Sequence, residues 1–210
     1  RTPVWFMRQA GRSLPEYRAA REGPPMLESC LTPALAAALT LQPVRRYGVD
    51  AAIRYSAIMA PLGLAGVGVD IVPGDRPVRT EADVDALPAL TDEALEPIRE
   101  AVRLAVAELG ATPLIGFAGA PYTVASYLVE GGPSRGHERT RALMHERPEV
   151  FARLLDRVAE LDIAFLRAQV LAGASAVQLF DSWVGELAED DYLAHVQPAS
   201  GRVLRAIGRL

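Results

Sequence analysis

The run Pro113-Leu-Ile-Gly-Phe117 is short and apolar, and the stretch Ala118-Gly-Ala-Pro121 follows it directly. A short apolar run that ends at glycine and proline is typical of a buried strand. A helix with apolar residues at helical spacing is predicted before it, from about Glu93 to Leu109, and another after it, to Val129. Helix, buried strand and helix in this order predict an α/β fold with a parallel sheet.

Three other segments have the same character and predict further buried strands. They are Val4–Met7, Val49–Ile53 and Ala176–Phe180. The four predicted strands end at Arg8, at Tyr55-Ser56-Ala57, at Gly116-Phe117-Ala118-Gly119 and at Asp181-Ser182. In a (β/α)₈ TIM barrel the active site lies at such strand ends, and a full barrel takes ~250 residues. We therefore expect residues 1–210 to form a single domain, about the first four βα units of a TIM barrel.

Composition limits the class of protein. Of the 210 residues, 50% are apolar and 23% are charged, and the net charge is −4, which is typical of a globular chain. The sequence has no apolar run of the ~18 residues that a membrane span needs, and its mild acidity disfavours a nucleic-acid surface. With one cysteine, Cys30, no internal disulfide can form, and we expect a reducing, cytoplasmic location.

The first 21 residues are locally basic. Their arginines are Arg1, Arg8, Arg12, Arg18 and Arg21. Arginine presents a planar fork of donors that matches a carboxylate or a phosphate in bidentate fashion. Several such forks near the end of a strand predict an anion-binding loop. The alternative is a solvated basic surface, where an ion pair is worth about 0–1 kcal/mol.

Three motifs resemble those of one enzyme family. Pro3-Val-Trp-Phe-Met-Arg-Gln-Ala-Gly-Arg12, followed by Leu14-Pro-Glu-Tyr-Arg18, is similar to the amino-terminal signature of the uroporphyrinogen decarboxylases. The stretch Ile115–Thr123 with Tyr127–Gly132 resembles the family's second motif, and Gln178–Ser182 resembles its third. The resemblance implies a homodimeric carboxy-lyase that acts on uroporphyrinogen, a tetrapyrrole with eight carboxylates. It implies removal of carbon dioxide from four acetate arms, with no metal and no cofactor.

The resemblance also implies roles for individual residues. The implied substrate-binding residues are Arg8, Gln9, Ala10, Gly11, Arg12, Arg21, Tyr127 and Ser182. Arg8 and Tyr127 are the catalytic candidates: Arg8 would also deliver a proton, and Tyr127 would hydrogen-bond near the reacting acetate. Arg21 would pair with a propionate. From the residues alone, Tyr127 would be an ordinary half-buried helix residue and Ser182 a helix cap.

The sequence departs from the family pattern after the second predicted strand. The stretch Asp50-Ala-Ala-Ile-Arg-Tyr-Ser-Ala-Ile58 has Ala57 where the family places a catalytic aspartate, and Arg54 in an apolar position. The resemblance implies that this aspartate balances the positive charge that a pyrrole ring of the substrate gains when it is protonated during the reaction. The family's carboxy-terminal half, with its late-strand histidine, is also missing, so we expect the chain to be the amino-terminal part of a longer protein. We expect the histidines present to be solvated helix residues: they are His137, His145 and His195.

Two other functions stay open at this point. The first is a zinc-dependent methyltransferase of the same superfamily, linked to a corrinoid or a thiol, whose zinc ligands would lie in the missing half. The second is a non-catalytic tetrapyrrole-binding or decayed relative, which Ala57 favours. The arginine loop argues against the first, and the loop, Tyr127 and Ser182 together argue against the second.

Overall fold

A computed structural model describes residues 2–5, 14–68 and 78–210. Within these ranges the helices are α1 (Pro15–Ala20), α2 (Met26–Leu31), α3 (Pro33–Tyr47), α4 (Ala60–Leu64), α5 (Glu81–Asp85), α6 (Glu96–Leu109), α7 (Pro121–Glu130), α8 (Glu138–Glu146), α9 (Pro148–Leu171), α10 (Glu189–Asp191) and α11 (Gln197–Ile207). The strands are β1 (Ala52–Ile53), β2 (Leu114–Gly119) and β3 (Ala176–Phe180). A 3₁₀ turn spans Val184–Glu186, and a π-helical turn spans Tyr192–Val196.

The chain divides into two compact units. The first contains Arg1–Ala60, Asp92–Ala118 and Leu166–Gln178, and the second contains Pro61–Thr91, Gly119–Phe165 and Leu179–Leu210. The prediction of one domain over residues 1–210 stays a prediction. In the described part of the chain, no helix combines the length and the apolar character that crossing a membrane requires.

The three strands form one sheet in the order β1-β2-β3. Strand β1 pairs in parallel with β2, with Ala52 opposite Leu114 and Ile53 opposite Ile115. Hydrogen bonds join both ends of β2 to the β3 segment. Ser175 N donates to Leu114 O at 2.8 Å, and Ala120 N donates to Phe180 O at 2.7 Å. The start of one segment thus meets the start of the other, which confirms the predicted α/β fold with a parallel sheet.

The strand predicted at Val4–Met7 is wrong for the two residues of it that the structure describes. Val4 and Trp5 are 51% and 40% exposed, and neither lies in a strand. A single residue satisfies the backbone of Val4: Asp50 N donates to Val4 O at 2.8 Å, and Val4 N donates to Asp50 Oδ2 at 2.7 Å. Phe6 and Met7 lie outside the described residues.

Helix α3 covers β1 in the first unit. It begins at Pro33, where the missing N–H is not needed, and ends at Tyr47; Gly48 follows, with a φ of 60° that suits a residue without Cβ. The Thr40 hydroxyl donates to Ala36 O at 2.7 Å and accepts from Tyr55 N at 2.8 Å. This hydroxyl therefore satisfies the backbone of β1 where the strand pairing stops.

Two apolar clusters lie among the described residues of the first unit. Leu14, just before α1, and Tyr17 and Cys30, on α1 and α2, pack with Leu39 and Tyr55. The Tyr17 and Tyr55 rings meet edge to face, with centroids 6.1 Å apart. The other cluster joins α3 to α6 and the sheet, and its members include Leu41, Ala52, Val102, Leu109 and Leu114. Burial of these side chains holds the helices against the strands.

The second unit is mainly helical. Thr80 and Asp83 form a capping box at the start of α5, each side chain accepting from the other residue's backbone N–H. The Tyr122 ring of α7 meets the Phe151 ring of α9 edge to face, with centroids 6.4 Å apart. Both rings are fully buried. Helix α9 belongs to this unit as far as Phe165. The rest of the helix, from Leu166 onward, belongs to the first unit.

A buried amide satisfies the backbone near the carboxyl end of β2. Phe117 N donates to Gln169 Oε1 at 3.0 Å, and Gln169 Nε2 donates to Phe117 O at 3.1 Å. The Gln169 side chain is fully buried. A Cβ at Gly116 would lie 2.6 Å from Gln169 Oε1, so only glycine leaves room for this amide. These two bonds fix α9 to the strand.

We predict that Gln169→Ala lowers the free energy of unfolding by about 2–4 kcal/mol, because it leaves a buried N–H and a buried C=O without this partner. Urea unfolding of the complete protein, followed by circular dichroism, measures the change. Gln197→Ala is the control, since Gln197 is exposed and such substitutions usually change stability by less than ~0.5 kcal/mol. Equal stability of the two variants would contradict the assignment.

Candidate active site

The predicted site residues fall into three groups. Those of the arginine loop lie outside the described residues: they are Arg8, Gln9, Ala10, Gly11 and Arg12. Arg21 and Ala57 belong to the first unit, whereas Tyr127 and Ser182 belong to the second.

Arg21 organises the turn between α1 and α2. Its Nη1 donates to Pro24 O at 2.8 Å and to Pro25 O at 3.1 Å, and also to Ser29 Oγ. Ser29 Oγ donates in turn to Pro25 O at 2.8 Å. One nitrogen of the guanidinium thus holds the loop backbone, and the pairing of Arg21 with a propionate stays a prediction.

Ala57, at the position of the family's aspartate, follows β1 and is half-buried against the cluster that contains Cys30 and Tyr55. Burial raises the pKa of the Cys30 thiol to about 11, so this thiol is neutral at pH 7. Arg54 is 2% exposed, and burial lowers the pKa of its guanidinium to about 10. Arg54 is therefore a buried cation at neutral pH, on the segment where the family pattern has an apolar side chain.

Thr123 connects the residues after β2 to those after β3. Its hydroxyl donates to Asp181 Oδ1 at 2.7 Å and accepts from Trp183 N at 3.3 Å. Thr123 lies in the first turn of α7, directly after β2, and Asp181 and Trp183 follow β3. One hydroxyl thus fixes the loop that carries Ser182.

Tyr127 lies one turn further along α7 and belongs to a stack of three rings, which we call the aromatic column. The Tyr127 and Trp183 rings are stacked, with centroids 4.3 Å apart and planes 26° apart. The His137 ring lies against Trp183, with centroids 4.2 Å apart. Such contacts are worth about 0.5–1.5 kcal/mol beyond the burial of area. The column restricts the Tyr127 ring. Burial raises the pKa of the Tyr127 phenol, so the phenol keeps its proton at neutral pH.

His137 corrects one expectation. It was predicted to be a solvated helix residue, but it is 1% exposed and precedes α8 with a φ of 44°. Its Nδ1 lies 2.7 Å from Glu186 Oε2, and its Nε2 has no hydrogen-bond partner among the described residues. The sequence separation of 49 residues between His137 and Glu186 explains why local pattern could not show this burial. The expectation of exposure holds for the side chain of His145, which is 55% exposed.

Ser182 is exposed and lies between Asp181 and Trp183. The 3₁₀ turn that follows begins at Val184, with Trp183 at its cap position, so Ser182 is not the helix cap that the residues alone suggested. Among the predicted site residues, Tyr127 lies close to the loop that carries Ser182, because Trp183 of that loop stacks on the Tyr127 ring. Sequence reasoning missed Trp183. The available signal was a large aromatic residue directly after the third motif.

Comparison with known proteins shows the family of this chain. The model of the family described as uroporphyrinogen decarboxylase (URO-D) matches residues 1–210. The chain belongs to the uroporphyrinogen decarboxylase family.

Two curated members of the family illustrate the similarity. The uroporphyrinogen decarboxylase of Streptomyces avermitilis is 61% identical over 98% of this chain and 59% of its own length. That of Arthrobacter sp. is 63% identical over 100% of this chain and 62% of its own length. The chain therefore spans about 60% of the length of these relatives.

A solved structure supports the fold alone. A methyltransferase from Methanosarcina mazei superposes with a TM-score of 0.71, over 88% of this chain and 57% of that one, at 18% sequence identity.

This family member also contains a fully buried acid, Asp162, whose pKa the half-buried Asp181 influences. Asp162, on α9, is 1% exposed, and neither of its carboxylate oxygens has a hydrogen-bond partner among the described residues. Burial, with a smaller contribution from the charge of Asp181, raises the pKa of Asp162 well above its usual range. Burial also raises the pKa of Asp181, although its bond from Thr123 opposes the shift. Burial and a nearby like charge both disfavour the charged form of a carboxyl group, so Asp162 favours its protonated state.

We predict that Asp162→Asn raises the free energy of unfolding more at pH 8 than at pH 4. The folded-state pKa lies above the unfolded value of ~3.9, so the folded protein holds the extra proton and stability falls as pH rises from about 4 through the folded pKa. Each pKa unit is worth about 1.4 kcal/mol, and we expect a gain above ~1 kcal/mol at pH 8.

Urea unfolding at the two pH values measures this effect. The control is Asp156→Asn on the same helix, because the Asp156 side chain is 61% exposed. A gain that is the same at both pH values would show that folding does not raise the pKa of Asp162.

Proposed function

We propose that the complete protein containing this chain is a uroporphyrinogen decarboxylase, which converts uroporphyrinogen III into coproporphyrinogen III for porphyrin and haem synthesis. The observation that carries the proposal is the match of the family over residues 1–210, with relatives about 60% identical. We also propose that the strands belong to a TIM barrel, and that the protein is a cytoplasmic homodimer. The parallel sheet, with its site residues after the strands, agrees with the barrel.

The residue types fit the chemistry of this reaction. Protonation of a pyrrole carbon makes the ring cationic, and the ring then accepts the electron pair of the C–C bond as carbon dioxide leaves. A second proton then adds to the exocyclic carbon and makes it a methyl group, and loss of the first proton from the ring carbon restores the neutral pyrrole, so that each carbon dioxide released consumes one proton. The site must bind carboxylates, deliver protons and stabilise a cation. In this proposal Arg8 and Arg12 bind the carboxylate arms, Arg8 also supplies the proton, and Gln9, Ala10 and Gly11 shape the loop.

Tyr127 has the properties of a fixed hydrogen-bond donor. Its phenol is neutral at pH 7, since burial raises its pKa, and its ring stacks on Trp183. A donor that is already oriented loses little entropy when it binds a carboxylate oxygen. In this proposal Tyr127 donates to the reacting acetate, and Ser182, which Thr123 holds near Trp183 through the loop backbone, contacts another arm.

We predict that Tyr127→Phe in the complete protein lowers kcat by about 10² or more, the effect of removing one preorganised donor. The assay follows conversion of freshly reduced uroporphyrinogen III to coproporphyrinogen III by chromatography of the oxidised products. Tyr122→Phe is the matched control on α7: Tyr122 is fully buried and packs on Phe151. A kcat for Tyr127→Phe within twofold of the control would contradict the catalytic role.

Ala57 supports a second candidate function, a non-catalytic or impaired tetrapyrrole-binding relative. The residue offers no carboxylate to balance the cationic ring, and Arg54 adds a buried positive charge on the same segment. The methyltransferase alternative gains nothing from the comparisons, because a neighbour at 18% identity supports the fold alone.

We predict that Ala57→Asp raises the decarboxylation rate by about 10² or more, as expected for one preorganised electrostatic group. Binding of the tetrapyrrole should change less, because the ring becomes cationic only during the reaction. Ala57→Asn is the control, since it has nearly the same shape without the charge. Both are repeated with Arg54→Leu, which removes the buried cation. A rate that Ala57→Asp leaves unchanged in both backgrounds would overturn the electrostatic account.

A further inference from the structure

Among the described residues, three potential metal ligands lie close together in the second unit. His145 lies on α8, Asp191 ends α10, and His195 lies in the π-helical turn. Their ligand atoms all lie within 4.8 Å of one another. His145 Nε2 is 3.5 Å from Asp191 Oδ2, and the two imidazole rings are nearly perpendicular, with centroids 6.1 Å apart. The three side chains are exposed or half-buried.

Local sequence explains the position of His195. Pro198 has no N–H, so it cannot donate to the carbonyl four residues earlier, as a regular helix requires. Gln197 N donates instead to Tyr192 O, five residues back. This π-helical turn lies between α10 and α11. It directly follows Asp191 and contains His195, so its geometry sets the position of His195 relative to Asp191. Such turns are rare and are frequent at functional sites.

Two imidazoles and a carboxylate are ligands that Zn²⁺ and similar ions prefer. With Zn–N bonds of about 2.0–2.1 Å, two ligands of a tetrahedral ion lie roughly 3.3 Å apart. The separation of 3.5 Å between His145 Nε2 and Asp191 Oδ2 is already close to this value. The remaining adjustment requires only rotation of side chains that are not enclosed by the core.

The surroundings give an ion access to a fourth ligand. His145 and Asp191 also line a cavity of about 580 Å³, together with Glu138, Arg141 and Glu186. Three protein ligands with one open position are typical of zinc sites that bind water or a small ligand. A simple ion pair between His145 and Asp191 uses two of the side chains, whereas a bound ion uses all three.

We propose that His145, Asp191 and His195 bind one Zn²⁺-class ion, which links α8 to the turn after α10 and keeps one coordination position open to the cavity. None of these three residues has a role in the proposed decarboxylase reaction. The ion binds the folded arrangement and not the unfolded chain, so it stabilises the second unit by mass action.

The test uses the complete protein after removal of metal by a chelator. Zn²⁺ is titrated in competition with a chromophoric chelator, and thermal unfolding is recorded with and without Zn²⁺. We expect one equivalent to bind and the unfolding temperature to rise. The variants His195→Ala and Asp191→Asn should weaken binding at least about tenfold, the lower end of what loss of even an outer-sphere group costs, and should abolish the rise in temperature.

Asp190→Asn is the matched control, because Asp190 is the adjacent exposed carboxylate and is not one of the three ligands. It should bind Zn²⁺ within twofold of the unmodified protein. Zinc X-ray absorption of the unmodified protein gives a second readout, in which we expect the scattering pattern of two imidazoles. Wild-type affinity in the ligand variants, no saturable binding, or a spectrum without imidazole would overturn the proposal.

Discussion

Parallel pairing along β2 is the constraint on which the rest of the structure depends. A parallel strand is buried on both faces, so each backbone group needs a partner inside the protein. Strand β1 pairs with its first half, and the Gln169 amide satisfies Phe117 where that pairing ends. Glycine at position 116 makes room for this amide, because a Cβ there would collide with the Gln169 amide oxygen.

The same constraint gives the candidate site its geometry. Parallel strands deliver their carboxyl ends to one edge of a sheet, where loops are free to carry chemistry. In the second unit the Thr123 hydroxyl fixes the loop after β3, and Trp183 of that loop stacks on Tyr127. The His137 ring also lies against Trp183, and Glu186 bonds to His137. Tyr127 is thus positioned by packing that does not involve any substrate.

Sequence reasoning succeeded where local pattern decides the structure. The predicted strand at Ala176–Phe180 has the observed bounds, and β2 was predicted to within two residues at its end. It failed for Val4 and Trp5, because an apolar pair cannot show that Asp50 alone satisfies the local backbone. It failed for His137 because the burial of this residue depends on Trp183 and Glu186, which are distant in sequence. The roles of the site residues, implied by resemblance, stay predictions.

The central claim is that the aromatic column presents Tyr127 to a tetrapyrrole. The most direct measurement is a crystal structure of the complete protein with coproporphyrinogen III, grown without oxygen. The account predicts a hydrogen bond from the Tyr127 hydroxyl to a group on the rim of the bound ring, with Trp183 still stacked on Tyr127. A tetrapyrrole bound with no contact to Tyr127 or to the loop of Ser182 would contradict it.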